Sequence, residues 1–232
     1  MRKLARNKKG QFVILAVLLM AIMIISLGAL MNRAVTYYKH EPWEEYLTLI
    51  GNIELSSSRL VELSLTNYTN AQTPDENILR NNLDQWQVNL TRIYPGRGVS
   101  LNFSDYPMTR DWNKTSSLSN ATASFTIDIA SIGLTGYKFT ATAFLNLTIL
   151  SQTDYELNVT VKVEDGKPLT NLGKDNFLVR NSSMGFTVMN VTGYYDQREA
   201  LVYTIQCSQT ITAPITVSVW DPRGIQVMAK YP

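Results

Sequence analysis

A run of twenty residues, from Phe12 to Met31, carries no charge, and only Ser26 among them is markedly polar. At a rise of 1.5 Å per residue, a helix of this length spans about 30 Å, the thickness of the hydrocarbon core of a bilayer. The apolar part of a secretory signal is shorter, at about 7–15 residues. The run therefore predicts a transmembrane helix, which we place within residues 11–42.

The charges around this run predict its orientation. No acidic residue appears before Glu41, and only Arg33 and Lys39 are basic between the run and that residue. Five cations precede the run: Arg2, Lys3, Arg6, Lys8 and Lys9. Because positive charge favours the cytoplasmic side, we expect the N-terminus to lie in the cytoplasm and the apolar run in the cell membrane. The chain after about His40 would then be extracellular. The remainder is near neutral, so nothing in it indicates nucleic-acid binding.

The junction between the leader and the apolar run contains Lys8-Lys9-Gly10-Gln11. A short basic leader that ends in this way resembles the class III signal of archaeal type IV pilins. The resemblance implies that a prepilin-type peptidase cuts between Gly10 and Gln11, which makes residues 1–10 a leader peptide. It also implies that the retained helix packs against the helices of other pilin-like subunits in a filament core. Many pilins carry glutamate where this chain has Leu15, which favours a minor subunit.

Two other readings of the same segment stay open. The run is also consistent with an uncleaved signal-anchor, and the protein would then be a monomeric ectodomain that binds a ligand or an envelope partner. Ser26-Leu27-Gly28-Ala29 resembles a secretory cleavage site, after which the apolar run would be lost. The state of the Gly10–Gln11 bond distinguishes the first reading from these two.

The next part of the chain, residues 43–150, predicts an antiparallel α+β unit. Leu49, Ile53, Leu60 and Leu63 suggest one helical stripe from Trp43 to Leu65, with a break at the serines 56–58. Thr73-Pro74-Asp75-Glu76 has the pattern of a capping box before a second helix. That helix should bury Leu79, Leu83, Trp86, Leu90 and Ile93 and end at Pro95-Gly96. From Val99 the apolar period changes to two, which predicts strands near 99–103, 121–129 and 137–149.

Residues 151–232 predict an Ig-like β-sandwich, because about six short alternating strands follow one another in this segment. The stretch VTVKVEDGKPLTNLGKDNF, residues 159–177, is similar to the start of bacterial-Ig-like surface modules, a resemblance that implies a fold and no activity. Asp221-Pro222-Arg223-Gly224 predicts a tight turn. The single cysteine, Cys207, shares strand parity with apolar residues and is interpreted as a buried small hydrophobe. The expected fold class is thus α+β, with a long N-terminal transmembrane, pilin-like helix, an antiparallel unit and a C-terminal sandwich.

Nine Asn-x-Ser/Thr sequons occur where the composition gives about three by chance. We predict N-glycosylation sites at Asn67, Asn89, Asn102, Asn113, Asn120, Asn146, Asn158, Asn181 and Asn190. Asn102, Asn146 and Asn158 fall on the polar face of their predicted strands, where a glycan would stand in solvent. Asn190 shares parity with Phe186 and Val188, so it should face the core unless a bulge intervenes.

No pattern in the sequence points to catalysis. With one histidine, His40, and one cysteine, neither a Ser-His-Asp triad nor a Cys/His zinc site can form in the extracellular part. No phosphate-binding loop is present, and Asp165, Asp175 and Asn176 lack the spacing of a calcium loop. We therefore expect no enzyme, cofactor or metal. The expected function is structural or adhesive: a glycosylated minor subunit of a type IV-like surface filament.

Overall fold

The protein is described by a computed structural model that covers residues 8–39, 43–181, 184–197 and 199–232. Side chains at the two ends of the first helix, residues 8–15 and 33–39, lie outside the description, as does that of Trp43. The chain divides into two compact units between Gly51 and Asn52. Leader residues 1–7 and His40 are not among the described residues.

The first helix, α1, runs from Lys8 to Lys39 and includes the whole apolar run. Among the described residues, no helix combines the length and the apolar character that crossing a membrane requires. The long N-terminal transmembrane helix of the expected fold class is therefore wrong.

The second helix, α2, runs without interruption from Trp43 to Asn70. The expected break at the serines is wrong, because Ser57 is fully buried and its hydroxyl accepts a hydrogen bond of 3.0 Å from Trp86 Nε1. Ser58 Oγ donates instead to the carbonyl of Glu54 one turn earlier, which leaves the helix intact. The buried stripe continues through Val61 and Leu65. Leu63, predicted on that stripe, is 58% exposed.

The third helix, α3, runs from Ile78 to Ile93 and begins four residues after Pro74, the first residue of the helix expected from the capping box. Asn77 occupies the N-cap position, and its side chain makes no capping hydrogen bond. Asp75 Oδ1 accepts from the Asn77 backbone, so the acidic residue forms a local turn before the helix. Leu79, Leu83 and Leu90 are buried as predicted. Ile93 in the last turn is exposed.

Eleven strands are described, and all pair antiparallel in two sheets. The strands are β1 Val99–Ser104, β2 Met108–Asp111, β3 Ser116–Ile129, β4 Leu134–Gln152, β5 Glu156–Lys162, β6 Phe177–Arg180, β7 Gly185–Phe186, β8 Val188–Tyr195, β9 Leu201–Cys207, β10 Ile215–Trp220 and β11 Gln226–Tyr231. The larger sheet has the order β1-β3-β4-β5-β9-β8, and β2 also pairs with β3. The smaller sheet has the order β11-β10-β6-β7.

One face of the larger sheet forms the core. Odd-numbered residues are buried in β3 and, from Ala141 to Ile149, in β4. Phe125 stacks on Phe139 directly across the two strands with 4.8 Å between ring centroids. Helix α3 packs against β1, and β11 packs against β3 and β4. Helix α3 and the smaller sheet therefore cover different strands of the larger sheet, and its opposite face stays polar.

The expected arrangement of an antiparallel unit followed by a separate Ig-like sandwich is also wrong. Strand β4 pairs with β5, so the strands on both sides of the predicted junction belong to one continuous sheet. Strands β8 and β9 extend the same sheet rather than forming a sandwich of their own. A period-two pattern predicts a strand and its buried face, but it does not predict which strand lies beside which.

Candidate functional site

The most exposed apolar residues of the molecule lie on α1. Eleven large apolar side chains of this helix are between 51% and 72% exposed. They are Val17, Leu18, Leu19, Met20, Ile22, Met23, Ile24, Ile25, Leu27, Leu30 and Met31, here called the α1 apolar surface. Successive helical residues differ by 100° in direction, so a run with so few gaps is apolar on every side. Such a surface is far larger than the apolar patches of an ordinary monomer.

The predicted cleavage residues lie in the first turns of α1. Lys8, Lys9, Gly10 and Gln11 all have helical backbone, and their side chains lie outside the described part of the chain. A helical backbone does not present a peptide bond to a protease, so cleavage after Gly10 requires these turns to open. Opening at a helix end costs little free energy. Cleavage by a prepilin-type peptidase stays a prediction.

The nine sequon asparagines differ in exposure. Exposed are Asn67 on α2, Asn89 on α3, Asn102, Asn113 and Asn190; half-buried are Asn120, Asn146, Asn158 and Asn181. Five lie on the polar face of the larger sheet: Asn102, Asn120, Asn146, Asn158 and Asn190. In each of these the hydroxyl residue is two positions later and shares the face, because side chains of a strand alternate.

Hydrogen bonds further separate these asparagines. The Nδ2 amide of Asn146 donates to the carbonyl of Ser117 at 3.0 Å, and that of Asn158 donates to Ser151 Oγ at 3.0 Å. A glycan is attached at Nδ2, so modification of either residue would replace an existing contact. A bulge lies between Val188 and Asn190, so Asn190 faces away from the core. The sequence analysis expected it to face the core unless such a bulge intervened. Use of the sequons stays a prediction.

A cluster of charged side chains forms around Arg223, in the predicted turn between β10 and β11. Its guanidinium contacts Glu164 Oε1 at 2.5 Å, Asp221 Oδ2 at 2.7 Å and Glu62 Oε1 at 3.3 Å. It also donates to the carbonyl of Phe144 at 3.1 Å. Burial alone would lower the pKa of Arg223, but the hydrogen bonds to Glu164 and Asp221 outweigh it and raise that pKa further.

The same turn binds the C-terminal part of α2. Asn70 Nδ2 donates to the carbonyl of Gly224 at 2.8 Å, and Trp220 Nε1 donates to Asn70 Oδ1 at 3.0 Å. Thr66 Oγ1 donates to the carbonyl of Arg223 at 3.1 Å. The sequence analysis identified the turn and missed these partners, which lie more than a hundred residues earlier. The arrangement joins α2 to the end of the chain.

The charged groups around Arg223 are engaged with one another. The carboxylates of Glu62, Glu164 and Asp221 converge on one cation, Arg223, and each forms an ion pair with it. Within the described ranges, no three His, Cys, Asp or Glu residues are grouped in a way that would hold a metal ion. Cys207 is buried, as predicted, and burial raises the pKa of its thiol. A neutral, inaccessible thiol is a poor nucleophile.

Comparison with protein-family models, with curated proteins and with solved structures finds no match to this chain. The description as a pilin, a pilus component or a glycoprotein therefore has no relative to support it.

Proposed function

We propose that this chain is a structural or adhesive surface subunit that assembles with copies of itself through the α1 apolar surface. The minor subunit of a type IV-like filament, expected from the leader, is the specific form of this proposal. The strand-rich unit that begins at Asn52 would then be the part displayed at the surface.

The exposure of α1 on all sides is the observation that carries the proposal. Burying one Leu, Ile, Val or Met side chain contributes about 1.5–3 kcal/mol. Eleven such side chains, each at least half exposed, therefore represent on the order of 10 kcal/mol or more of unused burial. A single partner helix covers only one stripe of a helix. An all-round apolar helix needs several neighbours, which the core of a helical filament provides.

The rest of the molecule supports a structural role. Its converging charges form ion pairs that stabilise the contact between α2 and the turn at Arg223. The two sheets and α3 bury a core of ordinary aliphatic and aromatic side chains. These features hold the domain together as a stable unit, which a displayed subunit requires.

The test uses the full chain in its native host and the substitution Ile24→Arg, in the middle of the α1 apolar surface. A charge buried between packed helices without a partner is costly, so we expect loss of the filaments released by shearing, as seen by sedimentation and electron microscopy. Leu63→Arg is the matched control, because Leu63 is a similarly exposed helical residue on α2. We expect the control to assemble as the wild type does.

Two results would overturn the proposal. One is a wild-type protein that yields no high-molecular-weight assembly and remains a monomer, which favours the ligand-binding ectodomain. The other is an Ile24→Arg protein that assembles as efficiently as Leu63→Arg.

A further inference from the structure

Strand β8 forms one end of the larger sheet. It has eight residues and pairs only with β9 among the strands described. From Asn190 to Tyr195 the register with β9 is continuous, so the backbone N–H and C=O groups of alternate residues in this stretch point away from β9. An exposed edge of this length offers backbone donors and acceptors to another strand.

The other described edges are less available. Strand β11 is followed on its outer side by the segment at Asn113 and Lys114, which makes backbone hydrogen bonds to Met228 and Lys230. Strand β7 has only two residues. Strand β1, at the opposite end of the larger sheet, is shorter than β8 and packs against α3.

Strand β8 also lacks most features that usually protect an edge. It contains no proline and no charged residue, and its single bulge lies at its start, between Val188 and Asn190. Three of its large side chains are strongly exposed: Met189 at 65%, Tyr194 at 48% and Tyr195 at 62%. Long, uncharged edge strands with exposed apolar side chains pair with further strands.

We infer that β8 is a docking edge for β8 of a second copy of this chain, paired antiparallel about a two-fold axis. A two-fold axis perpendicular to the sheet keeps the core side of both copies on the same side and continues one sheet into the other. Since β8 carries no charge, two copies meet without like-charge repulsion. With the axis at Thr192, Asn190 of one copy lies opposite Tyr194 of the other, and Val191 lies opposite Gly193.

This contact is independent of α1 and goes beyond the proposed function. It uses a different element and a closed two-fold symmetry, so it links subunits in pairs. In a filament it would join neighbouring displayed domains. In a protein that does not form filaments it would give a dimer.

The experiment is cysteine cross-linking of the full chain, in otherwise wild-type and in Ile24→Arg backgrounds. The only native cysteine, Cys207, is buried, so thiol chemistry reports on an introduced residue. We expect Thr192→Cys to form a disulfide-linked dimer under mild oxidation in both backgrounds. The matched control is Thr204→Cys, which sits on β9 directly beside Thr192 and one strand away from the edge. We expect no dimer from it.

A second pair of variants tests the register. Asn190→Cys and Tyr194→Cys should each cross-link poorly alone, because neither residue lies opposite itself, and should form a mixed dimer when combined. Circular dichroism of each variant confirms that the sheet is retained. Absence of the dimer in both the Thr192→Cys and the mixed experiments overturns the inference. Equal cross-linking by Thr192→Cys and Thr204→Cys also overturns it. Either result leaves the filament assay with Ile24→Arg unaffected, so the two proposals fail separately.

Discussion

Trp86 of α3 donates its indole N–H to Ser57 Oγ of α2 over 3.0 Å, and Ser57 is fully buried. A second contact has the same form, since Asn82 Nδ2 donates to the buried Ser64 Oγ at 2.9 Å. Two serines on the buried stripe of α2 thus supply the acceptors for two polar side chains of α3. Ser57 and Ser64 thus connect α2 to α3 through specific hydrogen bonds, although serine is not a strong helix former.

Replacing Ser57 by alanine is expected to lower the free energy of unfolding by about 1–3 kcal/mol, because the indole N–H of Trp86 loses its acceptor. Urea unfolding followed by circular dichroism measures the change. Ser56→Ala, on the adjacent and more exposed position, is the control and should lie within about 0.5 kcal/mol of the wild type. Equal values for the two variants would show that the hydrogen bond contributes nothing.

Replacing Arg223 by methionine is expected to cost about 3 kcal/mol or more, because it leaves Asp221, Glu164 and Glu62 without their shared cation. Asp221 is only 1% exposed, so water cannot replace the ion pair. The control is Lys167→Met, which removes an exposed pair with Asp165 at 3.1 Å and should cost less than about 1 kcal/mol. The midpoint of urea unfolding distinguishes them, and similar midpoints would contradict the prediction.

Ionisation of Tyr203 is expected to lower the free energy of unfolding at alkaline pH. Burial raises the pKa of Tyr203, although a hydrogen bond from the Leu172 N–H opposes the shift, and its hydroxyl donates to the carbonyl of Leu169 at 2.7 Å. The folded state therefore holds this proton more tightly than the unfolded chain. Its contribution to stability is complete below the unfolded pKa of about 10 and is lost as the pH rises through the folded pKa.

The matching variant is Tyr203→Phe. At pH 7 we expect it to be less stable than the wild type by about 1 kcal/mol, through loss of the hydroxyl contact. Above pH 10 the difference in stability should shrink. Loss of the Tyr203 proton then stabilises the unfolded wild type, whereas phenylalanine has no proton to lose. Unfolding free energies of both proteins at pH 7, 8 and 11 provide the measurement. A difference that is constant across the three values would show that Tyr203 does not contribute to the alkaline loss.

Processing at the Gly10–Gln11 bond is expected to give a native protein that starts at Gln11. Gly10→Leu should block cleavage, because a branched side chain takes the place of the glycine before the cut. Gly28→Leu is the control, since it alters a glycine of the same helix that has open space around its Cβ position. Intact-mass analysis of protein from the native host measures both, and a native N-terminus at Met1 would exclude processing.

The sequence by itself determined most of the local structure. Alternation with a period of two predicted the strands near 99–103, 121–129 and 137–149 that correspond to β1, β3 and β4, because a strand with one buried face must alternate. The leucines of α3 and the turn before Gly224 were equally clear. Strand β2, which the sequence pattern did not predict, and the late start of α3 show the limit of prediction from local sequence. Thr73 and Asp75 fit both a helix cap and a turn, and only the neighbouring contacts select between them.

Tertiary structure alone decided which elements meet. Nothing local in the sequence brings Glu62 and Glu164 to Arg223, because these contacts join residues 161 and 59 positions apart in the chain. It also decided the role of Ser57, whose place on a buried stripe is acceptable only because Trp86 lies opposite. The apolar character of α1 could be read from the sequence directly, since it depends on composition. Strand neighbours and charge partners depend instead on which segments the folded chain brings together.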